Sequence, residues 1–357
     1  MTSPPIQYAT TTDGVRIAFM SLGTGPAVVL ASNVFGQLTA YQVGWPACKE
    51  TTDRLVALGW RVILYDVRGM GLSDRDVEDL SLKARVHDLE AVVAHLQLER
   101  FALGGADIGA ATAISYAADN PEKLSALVLV SPWASGVRRL EIPRFRAAYS
   151  AEPMANDDPH LFASIIGSVA TGFADSDLVR QLTDQFLHST TPAGLAAYHA
   201  ANALIDLTDL LPQVKVPTLV IHEAVFPFGS YELCREVAVG IPGAHFAVVT
   251  ENSIAGRMHD ASVAAINGFL RSTAAGPHVS SDGLTSLPTT GIHLTKRELQ
   301  VLRLLAAGST NKEIASALGV ALSTLERHVA NLYTKIDARG RADAIAYALR
   351  HGVAPIA

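Results

Sequence analysis

Seven short apolar runs punctuate the first 270 residues: "GVRIAF", "AVVLA", "RVILYD", "FALGG", "ALVLVS", "TLVIH" and "HFAVVT". Each is short and mostly apolar, and amphipathic segments lie between them. A mostly parallel sheet covered by helices, an α/β fold, is the architecture that satisfies both features. Between Pro132 and Pro217 the pattern changes to a long helical stretch carrying Phe145, Tyr149, Phe162, Phe173, Phe186 and Tyr198. That stretch, about residues 133–215, reads as an inserted helical cap whose aromatics form its own core rather than a cofactor box.

The run of strands ends near residue 270, and "RSTAAGPHVSSDGLTSLPTT", residues 271–290, is rich in Ser, Thr, Gly and Pro without apolar periodicity, as flexible linkers are. Residues 291–357 then form a small all-α domain. Charge divides at the same place. From Thr290 onward nine Lys and Arg stand against five Asp and Glu, leaving 19 against 29 of the total 28 and 34 for the rest, so a +4 end follows a −10 body. A basic end on an acidic body points to nucleic acid.

Start signals place the helices of that domain. Thr295 with Glu298 and Thr310 with Glu313 have the spacing of capping boxes. Leu325, Val329, Leu332 and Ile336 then make one apolar stripe, with Arg327, His328, Asn331 and Lys335 opposite, and Ile345, Ala348 and Leu349 repeat the spacing in a fourth helix. A short helix, a "GVA" turn and a helix with a partly basic face fit either a helix-turn-helix or a generic helical docking domain.

The segment "LTKRELQVLRLLAAGSTNKEIASALGVALSTLERHVANLYTKIDARGRADAIAYALRHGV" decides between them, because it closely resembles the LuxR/FixJ-type DNA-binding domain over its whole length. The resemblance implies double-stranded DNA as partner, with Asn311, Lys312, Thr324, His328 and Lys335 on phosphate or positioning and Arg327 and Asn331 facing the groove. It also implies a homodimer on inverted half-sites. Glu326 departs from the family, where Lys is common; it either reads cytosine or pairs with Ser323 as a capping box that starts the recognition helix late, and the capping reading is preferred.

Within the body, "GADIG" (Gly105 to Gly109) follows the strand "FALG" and precedes the helix-like "AATAISYAA". Together with "YDVRGMGLSD" and "VPTLVIHEA" it resembles the α/β-hydrolase superfamily over residues 6–270, in order and spacing. The resemblance makes GADIG the nucleophile elbow, usually G-x-S-x-G, with Asp107 at its centre. Aspartate serves there in relatives resembling haloalkane dehalogenases and epoxide hydrolases. A nucleophile also needs a histidine base, a carboxylate to hold it and amide donors for the oxyanion.

Those partners are missing from their places. Val225 and Phe226 occupy the acid loop, Ser253 matches the histidine position, and Ser32 and Asn33 replace the His-Gly pair of the oxyanion loop. His259 lies only ten residues ahead of Phe269 in the closing helix, displaced from the base position. A carboxylate without a base can form an ester but cannot readily release it. Asp107 is then either a partly buried carboxylate kept ionised by the following helix N-terminus or a contact that orients a ligand; the ligand contact is preferred. Ser32, Asn33, Asp107, Ile108, Trp133, Val225 and Ser253 are the candidate ligand-binding residues. Asp66, Arg68, Gly69 and Gly71 are scaffold.

No apolar run approaches the roughly 20 residues that cross a bilayer, and the N-terminus has no secretion signal, so the expected address is cytoplasmic. Cys48 and Cys234 are far apart and form neither a disulfide framework nor a zinc motif, and no cofactor or metal is expected. The chain reads as a transcriptional regulator in which a catalytically degenerate hydrolase-like body senses a small, largely apolar effector. The alternative is an active hydrolase or dehalogenase, with Asp107 as nucleophile and His259 as base, carrying a DNA-binding tail.

Overall fold

The computed structural model describes residues 4–32, 36–42, 46–171, 176–224, 226, 228–249, 260–274, 296–306, 309–335, 340–341 and 344. The chain forms two compact units, residues 1–282 and 283–357.

The first unit is built on eight strands: β1 (Gln7–Thr10), β2 (Arg16–Leu22), β3 (Ala27–Ala31), β4 (Arg61–Tyr65), β5 (Phe101–Ala106), β6 (Leu124–Val130), β7 (Thr218–Glu223) and β8 (His245–Val249). All seven apolar runs are strands. The eighth, β1, carries only one buried residue in its four, too weak a pattern to stand out from the sequence. The order in the sheet is β1-β2-β4-β3-β5-β6-β7-β8, antiparallel for the first two pairings and parallel from β4 to β8.

Alternate residues of each strand feed two cores. On β5, Phe101 and Leu103 join one cluster and Ala102 the other. The first core also takes helices α3 (Leu82–His95), α4 (Ile108–Asp119) and α10 (Tyr231–Gly240). The second takes α1 (Gln37–Gln42), α2 (Pro46–Ala57) and α11 (Asp260–Ala274) through Leu38, Leu55, Ile266 and Phe269. Both faces of the sheet are therefore covered, which is why its central strands β3 to β6 are almost wholly apolar. Helix α11 runs to Ala274, inside the stretch read as linker, and most of that stretch lies outside the described residues.

Helices α5 (Gly136–Leu140), α6 (Pro143–Tyr149), α7 (Pro159–Ala170), α8 (Ser176–Ser189) and α9 (Pro192–Ala203) occupy the interval between β6 and β7. Phe145, Phe162, Phe186 and Tyr198 are buried within this layer and continuous with the first core. The segment "YDVRGMGLSD" is structural. Asp66 accepts from the amides of Leu38 and Leu72 at 3.0 and 2.9 Å, and Arg68 pairs with buried Asp88 at 2.8 Å.

The second unit contains α12 (Lys296–Ala306), α13 (Asn311–Ala317) and α14 (Leu322–Lys335) around Val301, Leu302, Leu305, Ile314, Leu325, Val329 and Leu332. Among the described residues no helix is long and apolar enough to cross a membrane.

Candidate functional site

Strand β5 delivers Asp107 into a turn that only small flanking residues permit. A Cβ on Gly105 would stand 2.6 Å from the Gly109 carbonyl oxygen, and one on Gly109 would fall on the Ala31 carbonyl. Asp107 itself adopts φ 48° and ψ −112°, a region costly for a residue with a side chain. Its amide donates to the Val130 carbonyl at 3.0 Å, and its own carbonyl accepts from Ala110 at 3.1 Å. The strained elbow expected from GADIG is thus present.

The helix-cap alternative for its carboxylate is not what the structure shows. The Asp107 side chain makes no capping bond to the amides of α4. Instead Arg139, on cap helix α5, donates Nε to Oδ1 at 2.9 Å and Nη2 to Oδ2 at 2.7 Å, and Trp133 donates Nε1 to Oδ1 at 2.9 Å. The Arg139 side chain is 4% exposed and that of Asp107 15%. The guanidinium lies 3.8 Å from the centre of the Phe145 ring and 5.5 Å from that of Trp133, so aromatic faces supply the rest of its surroundings.

Arg139 was missed by sequence reasoning, since one of two adjacent arginines in "GVRRL" carries no mark of pairing with an elbow 32 residues earlier. Its neighbour Arg138 pairs with Glu236 on α10. On the side of Arg139 toward the cap lies a cavity of about 40 Å³, bordered by Leu140, Phe145, Tyr149, Glu152, His199 and Asn202. His199 Nδ1 lies 2.9 Å from Glu152 Oε1, its Nε2 has no hydrogen-bond partner among the described residues, and burial pushes its pKa down. Burial pushes the Tyr149 phenol up.

Of the other residues singled out, Trp133 is 1% exposed, with its indole on the Asp107 carboxylate. Ile108 and Ser32 are likewise buried, Ile108 within the first core. Asn33, Val225, Ser253 and His259 lie outside the described residues. Phe226, at the second acid-loop position, packs its ring against that of Phe228. Glu223, at the end of β7 where that loop begins, accepts from Ser262 Oγ of α11 at 2.6 Å. Among the described residues no three His, Cys, Asp or Glu side chains converge as metal ligands do.

In the second unit, the Thr310–Glu313 capping box is formed: the Thr310 amide donates to Glu313 Oε2 at 2.6 Å, and the Glu313 amide to Thr310 Oγ1 at 3.4 Å. Thr295 lies outside the described residues. Helix α14 begins at Leu322, with the amides of Thr324 and Leu325 bonded to the Ala321 carbonyl. Ser323 is therefore inside the first turn, and the late start expected from a Ser323–Glu326 box does not occur. Leu325, Val329 and Leu332 face the core; Ile336 is outside the described residues. Arg327 and Asn331 are exposed, while Asn311, Thr324 and His328 are partly buried. Lys335 reaches back to Glu298 of α12 at 2.9 Å. The Lys312 side chain lies outside the described set.

Comparison with known proteins follows the same division. Residues 293–348 match the bacterial regulatory proteins of the luxR family, and residues 43–181 match the alpha/beta hydrolase fold. A stretch of 216 residues is 28% identical to the AB hydrolase superfamily protein YisY of Bacillus subtilis, covering 56% of this chain and 77% of that one. Sixty residues are 40% identical to the response regulator protein VraR of Staphylococcus aureus, covering 17% of this chain and only 29% of that protein. Among solved structures, a thermophilic esterase from Thermogutta terrifontis superposes with a TM-score of 0.61 at 25% identity, over 75% of this chain and 99% of its own. A luxR-type segment implies DNA binding, and a regulator of transcription follows from it. The chain joins a body of the α/β-hydrolase fold to a C-terminal helix-turn-helix segment of the bacterial luxR regulatory family.

Proposed function

We propose that the chain is a ligand-responsive transcriptional regulator: the helix-turn-helix binds an operator, as a homodimer, and the hydrolase-like body binds a small, largely apolar molecule without turning it over. One observation carries the reading. Both oxygens of the carboxylate at the nucleophile position are committed to a cap arginine, with a third donor from Trp133. A nucleophile must present a lone pair to substrate, and an ion-paired, doubly hydrogen-bonded carboxylate is a poor one. The same pair ties the cap to the sheet, so a molecule entering beside Arg139 acts on the tie. Ligands bias a protein only through unequal affinity for two of its states, and a cap that is latched or released offers two such states. Ser32, Asn33, Ile108, Val225 and Ser253 are the further positions from which the body would touch its effector. Asn311, Lys312, Thr324, Arg327, His328 and Asn331 are those from which α13 and α14 would touch DNA, and Lys335 would join them only by leaving Glu298.

The test has two arms. Operators are selected from genomic fragments with the full-length protein, and their affinity is measured with and without a metabolite library; at least one compound should change it. Turnover of p-nitrophenyl esters, haloalkanes and epoxides is then compared between the wild type and Asp107→Asn. Equal, background-level rates are expected. Turnover that Asp107→Asn abolishes would establish the alternative of an active hydrolase or dehalogenase with a DNA-binding tail.

A further inference from the structure

Arg85, on α3, is wholly buried and belongs neither to the Asp107 tie nor to the Arg68–Asp88 pair. Its Nη1 donates to Tyr198 Oη at 3.1 Å and to Asn202 Oδ1 at 3.0 Å, both on cap helix α9. Its Nε and Nη2 have no hydrogen-bond partner among the described residues. A guanidinium keeps its charge at any pH a folded protein meets, and a buried charge left unpaired is costly. The junction of body and cap therefore holds a buried cation with one edge unpaired, and an anion reaching that edge requires the cap to shift.

That edge is chemically specific. Nε and Nη2 are adjacent, coplanar donors, and they are the same two atoms with which Arg139 grips the Asp107 carboxylate at 2.9 and 2.7 Å. The natural complement of such a fork is a planar anion with two oxygens. The surroundings continue toward an apolar space. The Tyr198 ring lies under the guanidinium, 4.9 Å from its carbon, and the charges of Arg85, Asp107 and Arg139 all act on the Tyr198 hydroxyl. Asn202, which holds Arg85, also borders the cavity beside Phe145 and Tyr149. At about 40 Å³ that cavity takes only a few atoms, so a longer tail requires α5 and α9 to part.

We propose that Arg85 anchors the head group of a small monocarboxylic acid, whose apolar remainder enters the cap cavity beside Phe145 and Tyr149. This names the chemical class of the effector and rests on the sensor reading only for what binding does to DNA affinity.

The test uses the full-length protein and calorimetric titration with hexanoate, phenylacetate and benzoate, each against its neutral primary amide. At least one acid should bind the wild type, with its amide at least tenfold weaker. Arg85→Met should lose at least tenfold in affinity for that acid while still melting as a folded protein, because removing a half-unpaired buried charge offsets the lost bonds to Tyr198 and Asn202. Arg85→Lys keeps the charge without the fork and should fall between; if Arg85→Met does not fold, the loss is read on Arg85→Lys. Acids that bind the wild type no better than their amides, or that bind both variants with unchanged affinity, would overturn the proposal. An acid that binds through Arg85 yet leaves operator affinity unchanged would instead overturn the sensor reading alone. A neutral compound that shifts operator affinity while no acid binds would overturn the Arg85 site and leave the sensor standing.

Discussion

Arg139 holds Asp107 through two near-parallel hydrogen bonds of 2.9 and 2.7 Å, joining the first cap helix to the elbow at the end of β5. Removing either member of such a pair strands the other charge in a largely dry site. Asp107→Asn and Arg139→Met should each lower the urea-unfolding free energy of the first unit by about 2–3 kcal/mol, less than the roughly 3–5 kcal/mol of a fully buried pair because the Asp107 side chain is 15% exposed. The double variant should cost clearly less than the two singles combined, because it strands no charge. Strict additivity in that cycle would mean that the two side chains do not act as a pair.

The elbow was legible in the sequence because its geometry is enforced locally: glycines at fixed offsets, an apolar strand before and a helix after. The strands were legible because burial on both faces leaves unbroken apolar runs. Arg139 and Arg85 were not. Arg85 sits at what looks like an ordinary polar position of the amphipathic "SLKARVHDLEAVVAHL", and its partners Tyr198 and Asn202 lie 113 and 117 residues further along the chain, on α9. Long-range partners of a charged side chain leave no periodic trace. The late start assigned to α14 failed for a related reason: a Ser-x-x-Glu spacing offers a cap, but Ala321 already supplies the first helical carbonyl.

Close backbone approach at Gly109 gives a sharper expectation than its place in the motif. A methyl group there meets the Ala31 carbonyl, which is fixed in the β3–β5 ladder and cannot retreat. Gly109→Ala should therefore destabilise the first unit by roughly 1–3 kcal/mol, the usual cost of overpacking, or displace α4. Gly243→Ala has open space around its Cβ, so its cost comes only from its φ of 72°. Urea titrations of the two variants compare the effects directly; a Gly109→Ala protein as stable as wild type would show that α4 is free to shift.

His222 makes the stability of the body pH-dependent. It is 8% exposed on β7, with Nδ1 3.6 Å from Cys234 Sγ, and burial pushes its pKa down from 6.5 to about 4. The unfolded chain takes up a proton below 6.5 while the folded one resists until about 4, so this contribution is present above 6.5 and is lost as pH falls through that window. The full loss is about 3 kcal/mol. Asp66 and Asp88 act the other way, since burial raises each to about 6 and protonation there favours the folded state. The wild-type slope sums these opposing contributions, so the informative comparison is with His222→Gln, which should lose less stability than wild type between pH 7 and pH 5. Identical slopes would mean that the imidazole is not held neutral.

On α14, exposure separates residues free to meet DNA from those already engaged. Arg327 is exposed with its side chain on the face opposite Leu325 and Val329, whereas Lys335 spends its charge on Glu298. Arg327→Ala should therefore weaken operator binding roughly tenfold with little change in the melting of the second unit. If Arg327 reads a base, the loss is confined to sequences carrying that base. If it meets a phosphate, all sequences weaken together and the slope of affinity against salt falls by about one ion. Lys335→Met should instead act mainly on stability, by about 1 kcal/mol: the Lys335 side chain is 41% exposed, which weakens the pair, but Glu298 is only 7% exposed. Operator titrations at several salt concentrations, run beside thermal melts, separate these cases. A Lys335→Met protein that melts like wild type but binds DNA tenfold more weakly would show that the lysine leaves Glu298 for the backbone of the operator.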